Sequence, residues 1–181
     1  MNKQEMIDYS NTRQWAHITA VCENMKKIAE MIPSCADQLE ERMKLHDQSK
    51  FEEPEFTPYL YINWMYKCKK EGITYEYPEG MGDKTYDATV YHVLHNRHHP
   101  EFHAGEVGIS RTDRDKSDKI VDASGMSEVD VIEMVCDWVA VAKERGATSA
   151  RPWFESCSKT RWSFTDEQKD FIDSIITILE E

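Results

Sequence analysis

The 181-residue chain has no run near the ~18 apolar residues that a membrane span needs, and its first residues, MNKQEMIDYS, lack the apolar stretch of a signal peptide. The expectation is a soluble, cytoplasmic protein with no membrane partner. Cysteine is scarce and scattered: Cys22, Cys35, Cys68, Cys136 and Cys157 are odd in number and form no CxxC. That pattern argues against a disulfide framework and against a zinc ribbon. Positive charge is also short, with 22 Lys and Arg against 34 Asp and Glu and a net charge of −12. Such a surface repels a nucleic-acid backbone, so general nucleic-acid binding is not expected. There is no alternating strand pattern, no internal repeat and no low-complexity tract.

What is present reads as helix. Trp15, Ile18, Cys22, Met25, Ala29 and Ile32 recur at spacings of three and four over about 10–32, and Pro33 closes that segment. A second helix is predicted over about 35–47. A third runs from near Pro54 to Gly72, and a fourth from about 85 to 99, stopped by Pro100. Residues 72–84 read as a loop, and residues 100–126 as a long loop suited to act as a lid. Ser127 with Asp130 forms a capping box ahead of the apolar helix SEVDVIEMVCDWVAVAKER, which Gly146 ends; Thr165 with Gln168 repeats the pattern before the last helix. The expectation is an all-α, single-domain bundle of about six helices, with a core over about 9–145 and a helical extension over 146–181.

The histidines are unevenly placed. His17 and His46 stand apart, whereas His92, His95, His98, His99 and His103 fall within twelve positions. On a continuous helix His92, His95 and His99 share one face, and His98 pairs with His95. His46-Asp47 joins an imidazole to a carboxylate that can bind one cation and bridge to another. Each feature alone is also what a solvated helix end shows. Asp137 falls on a narrow stripe with Asp130, Glu133 and Glu144 in an otherwise apolar helix, so the stripe faces either water or an internal site.

In the order His17, His46-Asp47, Asp137, and in the segment HDQSK, the chain resembles the HD-domain superfamily of metal-dependent phosphohydrolases. HHPE at 98–101 is similar to a His-His-Glu run in branches that hold two or more metals. HDQSKF, HNRHHPEF and VIEMVCDW together resemble a largely phage-encoded family of HD-like domains of this length. The resemblance implies a helical domain that holds one or two divalent cations (Mn, Fe, Co, Mg or Zn) through His17, His46, Asp47 and Asp137, with His95, His98 and His99 for a second. Two departures stand out: the extra histidines lie closer together than in the multi-metal branches, and the Gly-Tyr-Pro element of the cyclic-dinucleotide phosphodiesterases is absent.

The implied reaction is attack of an activated water on phosphorus. Asp47 and Glu101 would orient or deprotonate the water, and Lys50 would pair with phosphate. Arg111, Arg114, Lys116 and Lys119 in the long loop form a candidate substrate rim. Trp15 beside Arg13, or Trp153 and Trp162 beside Arg151, Lys159 and Arg161, are candidates for stacking a base and holding phosphate. Glu52, Glu53 and Glu55 read as solvated charge. The leading expectation is a phosphohydrolase acting on a nucleotide or related small phosphate ester. A non-haem di-iron oxygenase and a non-catalytic phage protein that sequesters a nucleotide are the alternatives, and the acidic surface leaves homo-oligomerisation open.

Overall fold

The computed structural model describes residues 3–181. Helix α1 (Lys3–Met31) runs through the molecule and packs against α2 (Ala36–Leu45), α3 (Phe56–Lys70), α6 (Glu128–Glu144) and α8 (Asp166–Glu180). Its buried face, Val21, Met25 and Ile28, meets Ile132, Val135 and Val139 of α6 and Ile172, Ile175 and Ile176 of α8 in one core. Each fully buried aliphatic side chain of this kind contributes about 1.5–3 kcal/mol. Helix α6 is buried almost all round, as its composition requires. Helix α3 packs on α1 and carries a smaller cluster around Leu60 and Trp64, and α4 (Met81–His95) packs on α3.

The all-α, single-domain expectation holds, with eight α-helices among the described residues. Both capping boxes form: Ser127 Oγ accepts from Asp130 N at 3.3 Å, and Thr165 Oγ1 from Gln168 N at 3.2 Å. Helix α4 begins earlier than expected and stops at His95, not at Pro100. Pro100 instead occupies the first turn of a short helix, α5 (Pro100–Ala104), where its missing N–H is harmless. The predicted long loop therefore contains a helix.

Residues 146–181 are not packed as an appendage. Helix α7 (Arg151–Thr160) and α8 contribute Phe154, Cys157 and Leu179 to the same core. A two-residue strand β1 (Val121–Asp122) pairs in parallel with β2 (Trp162–Ser163), with Val121 N donating to Arg161 O and Ala123 N to Ser163 O, each at 2.9 Å. That clip holds Trp162 against Trp138 of α6, stacked at 5.6 Å between centroids. Among the described residues, no helix is long and apolar enough to cross a membrane.

Candidate metal centre

The centre is built where α2 ends. His46 leaves helical geometry, and Asp47 adopts a left-handed conformation (φ 58°), the one non-glycine residue with positive φ among those described. Aspartate tolerates that region better than most residues, because its short side chain bonds locally. The turn sends two neighbouring side chains, His46 and Asp47, inward together, each 2 % exposed. A following 3₁₀ turn (Gln48–Phe51) brings Lys50 back, so that its Nζ lies 2.5 Å from Asp47 Oδ2.

Four imidazoles present Nε2 to Asp47. On the Oδ2 side are His17 of α1 at 3.5 Å and His46 at 3.9 Å; on the Oδ1 side are His92 of α4 at 3.3 Å and His98 at 3.7 Å. His17 Nε2 is also 2.9 Å from Asp137 Oδ1 of α6. The far side of three rings is held by buried glutamates. Glu133 Oε1 lies 2.9 Å from His46 Nδ1 and 3.3 Å from His98 Nδ1, and Glu55 Oε2 lies 2.7 Å from His92 Nδ1. An ionised carboxylate only accepts, so Nδ1 carries the proton on His46 and His98, and in a neutral ring that leaves the Nε2 lone pair toward Asp47.

The carboxylates are kept ionised. Burial pushes Glu133 up, but hydrogen bonds from His46 and His98 outweigh it and lower its pKa to about 2. Burial also opposes charge on Asp47 and Asp137. The Lys50 ammonium, with His46 and His92, holds Asp47 well below the usual carboxylate range, and His17 does the same for Asp137. Asp47 and Tyr59 overcome the burial of Lys50 and raise its pKa, so it remains cationic. Burial, with His98 and His92 beside it, holds His99 well below the ordinary imidazole value, as a neutral ring.

The residues present fit divalent cations. His46 Nε2, Asp47 Oδ1 and His99 Nε2 are buried without a hydrogen-bond partner. Potential ligand atoms lie within 4.8 Å of one another in the sets His17, His46, Asp47 and His92, His98, His99; a third such set, His46, His98 and Glu133, is the hydrogen-bonded support behind those two rings. Mixed imidazole and carboxylate donors suit borderline metals such as Zn, Mn, Fe or Co, and glutamates on the opposite ring nitrogens are the usual support for ligating histidines. Asp47 faces two groups of histidines with its two oxygens, an arrangement suited to a carboxylate shared by two cations.

The structure thus brings together His17, His46, Asp47, Lys50, His98, His99 and Asp137 from the sequence-predicted set. His95 is not among them: it is exposed, its Nδ1 is 2.7 Å from Tyr91 O and its ring stacks on Tyr91. His92 takes the inward position instead. Glu101 is buried but is in none of these ligand sets, and it accepts from Trp162 Nε1 at 3.0 Å. Arg111 is exposed and drawn to Asp83 at 3.0 Å, and Arg13 is engaged by Glu144 at 2.6 Å and by Asn63. Trp15 is half-exposed and stacked on Phe51, away from the cavity walls. Glu55, read from sequence as solvated, is completely buried behind His92. Nothing in its run of acids distinguished it from Glu52 and Glu53; Glu133 was at least visible four residues before Asp137.

The centre opens into a cavity of about 510 Å³. His92, His98, His99, Lys50 and Asp137 line one part of it, and Trp138, Trp153 and Trp162 supply flat apolar wall. Arg114 lines the cavity too, so this member of the predicted rim does face the site. No curated protein and no solved structure matches the chain. A family model described as "Family of unknown function (DUF5662)" matches residues 6–178, nearly the whole length and every residue of the centre. The chain belongs to that family.

Proposed function

We propose that the protein is a metal-dependent phosphohydrolase acting on a nucleotide or related small phosphate ester. The observation that carries this reading is Asp47, buried with its two oxygens turned to Nε2 atoms of His17 and His46 on one side and of His92 and His98 on the other. The order of those ligands along the chain, with Asp137, is also the order in which the sequence resembles the HD-domain superfamily. Divalent cations held there would supply Lewis acidity toward a phosphoryl oxygen and a water acidified to near-neutral pKa. Asp47 and Asp137 remain ionised and orient the water; Lys50, at the cavity wall, offers its ammonium to the phosphate. Water oxygen forms the new bond to phosphorus as the ester bond breaks, and the proton passes to the departing alkoxide. Flat apolar walls opposite the centre suit the base of a nucleotide. All five thiols are free, in keeping with a cytoplasmic enzyme.

The test is a turnover screen of the purified protein with Mn²⁺, Mg²⁺, Fe²⁺ or Co²⁺ across nucleotides, cyclic nucleotides and phosphate monoesters, with Asp47→Asn alongside. Asparagine is the right replacement, because it tolerates the left-handed backbone that alanine would strain. Phosphate or nucleoside release that Asp47→Asn abolishes supports the proposal. Equal turnover by wild type and variant overturns it, as would oxygen consumption by a two-iron form with no hydrolysis.

A further inference from the structure

The cavity wall contributed by the C-terminal segment contains a buried cation that the metal centre does not use. Arg161 follows α7 and is 8 % exposed, yet its hydrogen-bonding capacity is largely unfilled. Its Nε has no acceptor, and among the described residues its guanidinium makes one hydrogen bond, a 3.3 Å contact from Nη1 to Arg114 O. The nearest carboxylate, Glu101, stands 3.7 Å from Nη2, beyond hydrogen-bond distance, with the same oxygen already accepting from Trp162. The guanidinium instead lies over the Trp162 ring at 4.4 Å. A buried arginine normally has most of its five donors filled, because removing them from water is costly.

The surroundings indicate what is missing. Arg161 shares the cavity lining with Lys50, Arg114 and Arg145, against the carboxylates of Asp115 and Asp137. In a chain of net charge −12, this concave surface is locally cationic, and low-dielectric walls concentrate such a field. Arg114 is tied to the same place by its backbone contact to Arg161 and by its position 5.9 Å from the Tyr59 ring centroid, with Lys50 at 5.1 Å from that centroid.

We propose that Arg161 and Arg114 form an oxyanion-binding subsite of the cavity, which takes a phosphate or carboxylate group of the substrate whether or not metal is bound. This deepens the phosphohydrolase reading, and it rests on that reading only for the word substrate. The role falls to residues of the C-terminal segment and of the loop before α6, so the metal ligands can be altered without touching it.

The experiment is calorimetric titration of inorganic phosphate into the full-length protein in EDTA. Without metal, Asp47 holds the Lys50 ammonium and, with Asp137, makes that end of the cavity repel anions, so saturable binding that depends on Arg161 and Arg114 reports the arginine subsite. The expected result is saturable binding that weakens about tenfold or more in Arg161→Gln, recovers in part in Arg161→Lys and is retained or tightened in Asp47→Asn, which removes a repelling charge. Arg114→Gln serves as the second variant if Arg161→Gln lacks a native circular-dichroism spectrum, with the same weakening expected. Absence of saturable phosphate binding, or wild-type affinity in a folded Arg161→Gln or Arg114→Gln, overturns the subsite. Failure of the turnover screen alone leaves this result unchanged, because the titration involves neither metal nor turnover.

Discussion

Replacing Glu133 by glutamine keeps the size of the side chain and removes its charge. Glu133 Oε1 receives Nδ1 of His46 at 2.9 Å and of His98 at 3.3 Å, so two candidate ligands depend on one carboxylate. Hydrogen bonds to a charged group are worth about 1.5–3 kcal/mol each, roughly twice a neutral one. An amide oxygen retaining half of two such bonds therefore loses about 2 kcal/mol, or roughly thirty-fold in metal affinity at 1.4 kcal/mol per tenfold. That agrees with the ~10–100-fold usual for groups supporting ligating histidines. Glu55 supports His92 alone, at 2.7 Å, so Glu55→Gln should weaken binding about five-fold. The assay is competition for Co²⁺ or Zn²⁺ against a chromogenic chelator at fixed pH, with circular dichroism to verify folding. Wild-type affinity in a folded Glu133→Gln, or a larger loss in Glu55→Gln, would refute the assignment of these glutamates as supports.

Acid should destabilise the metal-free protein through the same group. Glu133 sits at about 2 against an ordinary value of 4.5, so its stabilisation is complete above 4.5 and fades as pH falls toward 2. Melting temperatures in EDTA across that window should fall more steeply for wild type than for Glu133→Gln; parallel curves would contradict the shift. Trp162→Phe keeps an aromatic ring against Trp138 but removes the donor to Glu101, whose other oxygen already lacks a partner. The expected loss is about 1–3 kcal/mol in urea unfolding, and a change under about 0.5 kcal/mol would count against that bond. Gly108→Ala places a methyl group into Lys119 O and Ser117 Oγ, displacing the loop that carries Arg114. A loss of about 1–3 kcal/mol in thermal unfolding is expected, and an unchanged melting curve would show that the loop yields freely.

Helix existence was legible wherever an apolar period or a capping box was sustained, as at Ser127 with Asp130. The errors arose where geometry changed within a motif. His92, His95 and His99 share a face only on an unbroken helix; the chain leaves α4 at Asn96, so His98 and His99 return from a loop while His95 stays outside. Pro100 marks a helix stop by its effect on the residue before it, yet it equally suits a first turn, which is where it sits in α5. The grouping of His17, His46-Asp47 and Asp137 was legible only through the resemblance of their order along the chain to that of a known superfamily, and the structure brings these side chains together. Glu55 and Arg161 could not be read that way, since a carboxylate or guanidinium becomes informative only once burial removes water as its partner.

The acidic stripe of α6 touches a different part of the chain at almost every step. Asp130 takes Arg42 and Arg97, Glu133 takes His46 and His98, Asp137 takes His17 and Glu144 takes Arg13. No stretch of sequence contains the centre by itself. A cation held there would be contacted from α1, the α2 exit, α4, the loop after it and α6, so its retention would depend on how well elements that share the core stay packed. Metal loaded into the centre would then leave more slowly from a variant whose elements part less often, even one substituted far from the histidines, and dissociation half-lives chased with a chelator would read it.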